Sequence, residues 1–227
     1  MATYTLNTSF TAQDLSRFLA TGSNLVVSKP SASGGAPNVA WVVYEPWENN
    51  TMTWVEDYGI YASTASLVNG ALLTQMSRSE FPALDGKTYP FTPNGTFGKP
   101  AQGGLPGSFY AVNDYQNAGG YLTFGLFQDA IVNGKAASGN AISAAPVLYN
   151  STAQMTPFTT IYLWVQSQVQ SNSVVTLVTS PMTKVIFGGG VTSISLAYDS
   201  KTGTFVPQGG AELPQGLVLD QLLPSLF

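Results

Sequence analysis

The aromatic and acidic side chains of residues 39–61 are the groups in this sequence whose types and spacing best suit chemistry. The stretch holds three of the four tryptophans and four of the twelve acidic residues. Flat indole rings pack against the apolar faces of sugar rings, and carboxylates accept hydrogen bonds from sugar hydroxyl groups. Glu45 and Glu56 also form a candidate pair, because two carboxylates supply the acid and the base of glycoside hydrolysis.

Residues 39–61 are predicted to form a β-hairpin that brings these groups to one face. Asn49-Asn50 separates two runs rich in Val, Trp, Tyr and Thr, and Asn tolerates the backbone angles of a tight turn. Strand alternation then places Glu45 opposite Trp54 and diagonal to Glu56. Diagonal Cβ atoms lie about 7–8 Å apart, a separation within the general range of glycosidase acid pairs.

The tryptophan-rich face has two interpretations. One is an exposed platform for a ligand. The other is the core face of a sheet, because large aromatic side chains dominate β cores. A second predicted hairpin over residues 161–179, with Ser171-Asn172 at its turn, favours the core because its equivalent face is mostly aliphatic. In a core, Glu45 and Glu56 would need partners, because carboxylates are seldom buried alone.

The composition predicts a folded protein with a largely uncharged polar surface. Charged residues make up 9% of the 227 residues, hydrophobic residues make up 44%, and the net charge is −4. Ordinary soluble domains are roughly 25% charged, and here Ser, Thr, Asn, Gln and Gly take the place of the missing charge. Such a surface suits neutral ligands such as glycans, or close packing between copies of the chain.

Several chemistries are excluded by what the sequence lacks. It has no Cys and no His, which removes disulfides, Ser-His-Asp and Cys-His catalysis, and the commonest zinc ligands. We therefore expect a protein that is not an enzyme and has no cofactor or metal. The eight Lys and Arg residues occur singly, so a nucleic acid partner is not expected.

Location and membrane contact are less constrained by the sequence. No apolar run reaches the ~20 residues of a membrane helix, which leaves surface contact with a membrane open. The first residues, Met1–Asn7, lack the basic and apolar regions of a signal peptide. We therefore expect a cytoplasmic protein, or one released without a signal peptide.

The hydrophobic patterns predict an all-β fold: one antiparallel β-sandwich domain over residues 1–227, with one short N-terminal helix. About ten short strands separated by Gly, Pro and Asn turns are typical of a sandwich. Thr11 and Asp14 form a capping signal for a helix over residues 12–20, which Gly22 ends.

A partial repeat indicates duplication of a strand–turn–strand unit. Tyr58-Gly-Ile-Tyr61 is similar to Phe124-Gly-Leu-Phe127, and a Val-Asn-Gly tripeptide follows each motif. Residues 39–97 and 108–160 are therefore candidate copies of one unit. A third hairpin is predicted within residues 108–128.

Lectin-like recognition of neutral glycans, without catalysis, is the first functional hypothesis. It depends on the neutral polar surface, the many Tyr and Trp residues and the absence of histidine. Aromatic rings would stack on sugars, and polar side chains would bind hydroxyl groups, where these side chains are exposed. The candidate ligand-binding residues are Tyr44, Trp47, Tyr61, Asn113, Asp114, Tyr115 and Trp164.

Two other classes of function stay open. Low charge, strands rich in Ser, Thr and Val, and the apolar tail Gly216–Phe227 also fit a self-assembling or pore-forming β-protein, such as a structural inclusion protein or a toxin. The tail would cover a sheet edge or dock into a neighbouring subunit, which predicts a homo-oligomer. The third hypothesis is a glycoside hydrolase that uses Glu45 and Glu56.

Overall fold

A computed structural model describes residues 3–31, 35–116, 119–210 and 220–222 of the chain. These residues form an all-β, sandwich-like fold with one α-helix, as predicted. In chain order the elements are β1 (Thr3–Ser9), α1 (Ala12–Thr21), β2 (Ser23–Ser28), β3 (Val42–Tyr44), β4 (Asn49–Val55), β5 (Gly59–Ser63), β6 (Gln75–Arg78), β7 (Lys87–Phe91), β8 (Ala101–Gln102), β9 (Phe109–Asn113), β10 (Tyr121–Val132), β11 (Lys135–Ala141), β12 (Ala145–Leu148), β13 (Thr152–Met155), β14 (Thr160–Ser167), β15 (Met182–Ile186), β16 (Ser193–Asp199), β17 (Thr204–Pro207), a 3-10 turn (Gln208–Gly210) and β18 (Asp220–Leu222).

The strands form three sheets. The nine-stranded sheet has the order β17-β16-β1-β4-β10-β5-β6, and β11 and β12 also pair with β10. The four-stranded sheet has the order β13-β9-β7-β8, and the five-stranded sheet has the order β18-β15-β14-β2-β3. Neighbours are mostly antiparallel, but β1 runs parallel to β16, and β7 runs parallel to β9.

The three sheets share one hydrophobic core. Phe91 of β7 contacts Phe124 of β10 edge to face, with ring centroids 5.4 Å apart. Trp41, which bonds to β2 through its backbone, meets Trp54 of β4 in the same way at 5.7 Å. Aromatic contacts of this geometry therefore link both smaller sheets to the largest one.

The N-terminal helix forms where its capping signal predicts it. The Thr11 hydroxyl accepts a hydrogen bond from the Asp14 amide, and the Asp14 carboxylate accepts one from the Thr11 amide. Gly22 ends the helix in the left-handed conformation, at φ 62°, which costs glycine little. Within the described ranges, no helix has the length and apolar composition needed to cross a membrane.

The predicted hairpin over residues 39–61 is wrong. β3 pairs with β2 in the five-stranded sheet, whereas β4 pairs with β1 and β10 in the nine-stranded sheet. Both edges of β4 are occupied, which leaves no edge for β3. Since the two strands belong to different sheets, the chain between them crosses from one sheet to the other. Pro46 lies on this crossing and has no amide hydrogen for a sheet.

The other two predicted hairpins are also wrong. Over residues 161–179, β14 pairs with β2 and β15, and Val174 makes an isolated bridge with Val39 instead. Over residues 108–128, β9 pairs with β7 and β13, while β10 pairs with four other strands. In both cases the strands have central positions in their sheets, so distant segments occupy the edges that a hairpin partner would need.

The two similar motifs of the partial repeat lie side by side. β5 and β10 pair with Tyr61 opposite Gly125 and Gly59 opposite Phe127. A Cβ atom added to Gly59 would overlap the Phe127 ring, and one added to Gly125 would overlap the Tyr61 ring and the Ser143 carbonyl. Each aromatic side chain therefore covers the glycine of the other motif. The proposed duplication itself stays a prediction.

The described part of the C-terminal tail covers a sheet edge. β18 pairs antiparallel with β15, with Leu222 opposite Met182, in agreement with one of the two predicted roles. The rest of the tail, residues 216–219 and 223–227, lies outside the described residues. Docking of the tail into a neighbouring subunit stays a prediction.

We expect Gly59→Ala to lower the free energy of unfolding by about 2–3 kcal/mol, a typical cost of overpacking. All three atoms nearest to the added Cβ belong to the Phe127 ring. Phe127→Leu should therefore remove most of this extra cost in the double variant, which urea denaturation of the two single variants and the double variant would measure as a coupling energy.

The facing glycine supplies the matched control. Gly125→Ala should stay destabilising when Tyr61→Leu is added, because the Ser143 carbonyl still overlaps the new Cβ. Additive effects of Gly59→Ala and Phe127→Leu would contradict the proposed covering of Gly59.

Candidate functional site

Three of the seven predicted ligand-binding residues are fully buried and bonded inside the protein. The Tyr61 hydroxyl donates to the Ser143 carbonyl oxygen at 2.8 Å, and burial raises the pKa of this phenol. Asn113 Nδ2 donates to the Val147 carbonyl, and Trp164 Nε1 donates to a side-chain oxygen at 2.9 Å. The lectin hypothesis requires that its ligand-binding side chains are exposed, and these three side chains are not.

Three further predicted residues are half-buried. Tyr115 packs edge to face on Phe91, and the backbone amide of Asp114 donates to the Phe91 carbonyl. Tyr44 lies at the end of β3, where burial raises the pKa of its phenol to about 12, although the Thr8 hydroxyl lowers it. Tyr44 is separated in sequence and sheet from Asp114 and Tyr115.

Trp47 differs from every other tryptophan. Its side chain is 59% exposed, whereas Trp41, Trp54 and Trp164 are exposed by 3% or less. The buried indoles donate their N–H groups to internal oxygens. In the described part of the chain the Trp47 indole N–H has no acceptor. The tryptophan-rich stretch thus contributes two rings to the core and one ring to the surface.

A buried amide fixes the backbone that presents Trp47. Asn50 is 2% exposed, and its Oδ1 atom accepts from the Trp47 amide at 2.8 Å while its Nδ2 atom donates to the Trp47 carbonyl at 2.8 Å. The Phe10 amide also donates to the Glu48 carbonyl. We call residues 45–48 the Trp47 loop. Its main chain is held by side-chain and backbone bonds at consecutive residues.

The Asn50 amide is itself held by the turn between β10 and β11. Asn133 Nδ2 donates to Asn50 Oδ1 at 3.1 Å, and Asn133 Oδ1 accepts from the Thr51 amide at 2.9 Å. Asn133 and Gly134 have φ values of 50° and 79°, which suit a two-residue type I′ hairpin turn. An Asn-Gly dipeptide predicts such a turn from the sequence alone. The contact between Asn133 and Asn50 depends on the tertiary fold, and the sequence does not predict it.

Two cavities adjoin the Trp47 loop. The turn cavity, of about 370 Å³, lies against the β10–β11 turn and is lined by Tyr44, Asn133 and Lys135. The helix cavity, of about 680 Å³, lies against α1. Glu45 and Trp47 line both cavities, so the exposed indole stands between two recesses large enough for sugar rings.

The helix cavity combines apolar and acidic side chains. Its walls include Leu15, Leu19 and Glu48 together with the Trp47 loop. Sequence patterns did not assign these residues to a site, because Leu15 and Leu19 follow the spacing of an ordinary packed helix face. Leu19 is in fact 77% exposed, which the spacing does not reveal.

Glu45 and Glu56 are not brought together as the hairpin would have placed them. Glu45 is exposed beside the two cavities, whereas Glu56 Oε1 lies 3.0 Å from the ammonium group of buried Lys29 and accepts from Trp54 Nε1 at 2.7 Å. Burial lowers the pKa of Lys29, and Glu56 opposes this effect. Glu56 therefore has a structural partner, which a carboxylate near the core requires.

Residues of the described ranges contain no group of three or more acidic side chains placed to hold a metal ion. Comparison of the chain with known protein families, curated proteins and solved structures found no match.

We expect acrylamide to quench one of the four tryptophans in the native protein. Trp47→Phe should reduce native quenching to the level of shielded indoles, because the remaining tryptophans are exposed by 3% or less. Steady-state fluorescence with and without denaturant measures this, since unfolding exposes the other three rings in both proteins. Strong native quenching that persists in the variant would contradict the described burial.

Asn50→Ala should loosen the Trp47 loop. Removal of the amide leaves the Trp47 N–H and C=O without their partner, so we expect a loss of about 1–3 kcal/mol in the free energy of unfolding and faster hydrogen exchange at the Trp47 amide. Asn113→Ala is the matched control, because it removes another buried side-chain amide that bonds one backbone N–H and one backbone C=O but contacts neither Asn50 nor Trp47. Equal exchange rates at Trp47 in both variants would show that Asn50 does not hold the loop.

Proposed function

We propose that this protein binds neutral glycans without catalysis, in a lectin-like manner, at the Trp47 loop. The observation that carries the proposal is an exposed indole on a main chain fixed by a buried amide. Exposed aromatic rings contribute little to folding, whereas a rigid ring presents a large contact area at a low entropic cost.

The surroundings of Trp47 support an extended ligand. A glycan that crosses the indole would place sugar units in the turn cavity and in the helix cavity, which share Glu45 as a wall. The Glu45 carboxylate accepts hydrogen bonds, the Trp47 indole N–H donates one, and Lys135 offers further donors in the turn cavity. These groups suit sugar hydroxyls, which both donate and accept.

The composition of the surface agrees with an uncharged ligand. Charged residues make up 9% of the chain, so long-range electrostatic attraction contributes little to recognition. Affinity would then come from stacking and from hydrogen bonds at short range. The self-assembling, pore-forming and glycosidase hypotheses stay open, but the contacts of the described residues favour none of them over glycan binding.

Trp47→Ala should weaken binding of neutral tetrasaccharides of glucose, mannose or N-acetylglucosamine at least tenfold, about 1.4 kcal/mol. Loss of the stacking ring is the physical reason. Isothermal titration calorimetry measures the change, after a glycan array has identified which tetrasaccharide binds. Thermal unfolding should change little, because the ring lies largely in solvent.

Tyr149→Ala provides a matched control, since Tyr149 is also surface-exposed, at 41%, and lines neither cavity. We expect full binding in this variant. Absence of binding to all neutral and charged glycans tested, or equal losses in both variants, would refute the proposal.

A further inference from the structure

The two cavities beside Trp47 differ in charge. The turn cavity has one basic residue, Lys135, and one acidic residue, Glu45. The helix cavity has two acidic residues, Glu45 and Glu48, and no Lys or Arg in its lining. The side of the Trp47 loop that faces α1 therefore carries net negative charge.

The carboxylates of the helix cavity have no cation of their own. The ion pairs among the described residues are Lys29–Glu56 and Arg17–Asp14, and neither Glu45 nor Glu48 has a side-chain hydrogen bond in that part of the chain. Arg17, the basic residue of α1, faces Asp14 at 3.8 Å. Two acidic residues without an ion pair or a side-chain hydrogen bond thus line one recess, on a loop whose backbone is fixed.

The same recess has an aromatic and aliphatic wall. Leu19 is 77% exposed and Trp47 is 59% exposed, and both line the helix cavity with Leu15. An indole face attracts a cation within about 6 Å of the ring centroid. An ammonium group also has three donors and no acceptor, which complements two carboxylates and an indole.

We propose that the helix cavity also binds the protonated amino group of an amino sugar, so that the protein binds neutral glycans and binds cationic glycans of the same length more tightly. This inference rests on the proposed function, because it assigns the ligand class to the same Trp47 site. The neutral parts of the glycan stack on Trp47, and the ammonium group lies between the indole, Glu45 and Glu48.

Other ligands complement this cavity less well. A purely apolar ligand would cover both carboxylates and leave them without partners, which costs free energy. An anionic sugar would meet two like charges. A neutral sugar avoids both of these costs, but it gains no electrostatic attraction from the two carboxylates.

The test compares three tetrasaccharides by calorimetry on the full chain: one of glucosamine, one of N-acetylglucosamine and one of glucose. We expect the glucosamine tetramer to bind about tenfold more tightly than the acetylated one at low salt, with a smaller ratio at high salt. Glu45→Gln and Glu48→Gln should each lower this ratio about threefold. Binding of the glucose tetramer should change less, because Gln retains a hydrogen-bonding oxygen.

Asp85→Asn is the matched control for net charge. Like Glu45 and Glu48, Asp85 is exposed, and it lines neither cavity, so we expect the ratio to stay at the wild-type value. An equal loss in Asp85→Asn would show general attraction of cations and would overturn the inference.

The remaining outcomes separate the inference from the proposed function. If the glucose or N-acetylglucosamine tetramer binds through Trp47 and the glucosamine tetramer binds no more tightly, the amine site is refuted while glycan binding stands. If none of the three tetramers binds, and Trp47→Ala has no effect on any glycan, both proposals fail.

Discussion

The amide side chain of Asn50 is the contact on which the candidate site depends. It bonds the N–H and the C=O of a single residue, Trp47. Asn50 itself is the second residue of β4, which belongs to the nine-stranded sheet. The chain leaves β3 in one sheet and starts β4 in another, so these residues must form a crossing rather than a turn. A backbone N–H or C=O that is buried at such a crossing without a hydrogen-bond partner would cost free energy of folding. The Asn50 amide supplies partners for both groups of Trp47 and fixes the direction of the Trp47 loop.

A second polar contact lies deeper and has a different consequence. The Lys29 ammonium, at the end of the five-stranded sheet, donates to both oxygens of Glu56 and to the Tyr58 hydroxyl. The rings of Trp41 and Tyr58 each lie 5.3 Å from this nitrogen. All three ammonium donors therefore have acceptors, and the aromatic faces compensate for part of the lost hydration. This arrangement accounts for the presence of Glu56 in a tryptophan-rich stretch, because the buried Lys29 ammonium needs an anionic partner.

The sequence predicted the fold class and the helix. It predicted about ten strands where the described residues form eighteen, and it did not predict which strands are neighbours. Local signals suffice for α1, since Thr11, Asp14 and Gly22 act within one helix. They fail for the strands because a segment such as 49–55 alternates in the same way whether its neighbour is next in the chain or far away. Here its partners are β1 and β10, and long-range packing decides between those choices.

The candidate site was predictable to a similar extent. Composition drew attention to Trp47 among seven residues, but the burial of Tyr61, Asn113 and Trp164 follows from sheet pairing that the sequence does not specify. Glu48 and Leu19 were not predicted, because they come from separate elements and meet only in the folded chain. The role of Asn50 was predictable in part. An Asn pair indicates a turn, but in the structure the Asn50 amide bonds the main chain where the crossing between β3 and β4 ends.

Folding accounts for several of the unusual residues in this chain, but not for four groups that lie together at the helix cavity. The buried tryptophans fill the core, the paired glycines admit facing rings, and Lys29 has Glu56. An exposed indole, an exposed leucine and two carboxylates without cations contribute little to stability. In a chain that is only 9% charged, two unpaired acidic groups beside the most exposed tryptophan are a local departure from its composition. The proposed recognition of a ligand would give all four groups a common role, which folding alone does not.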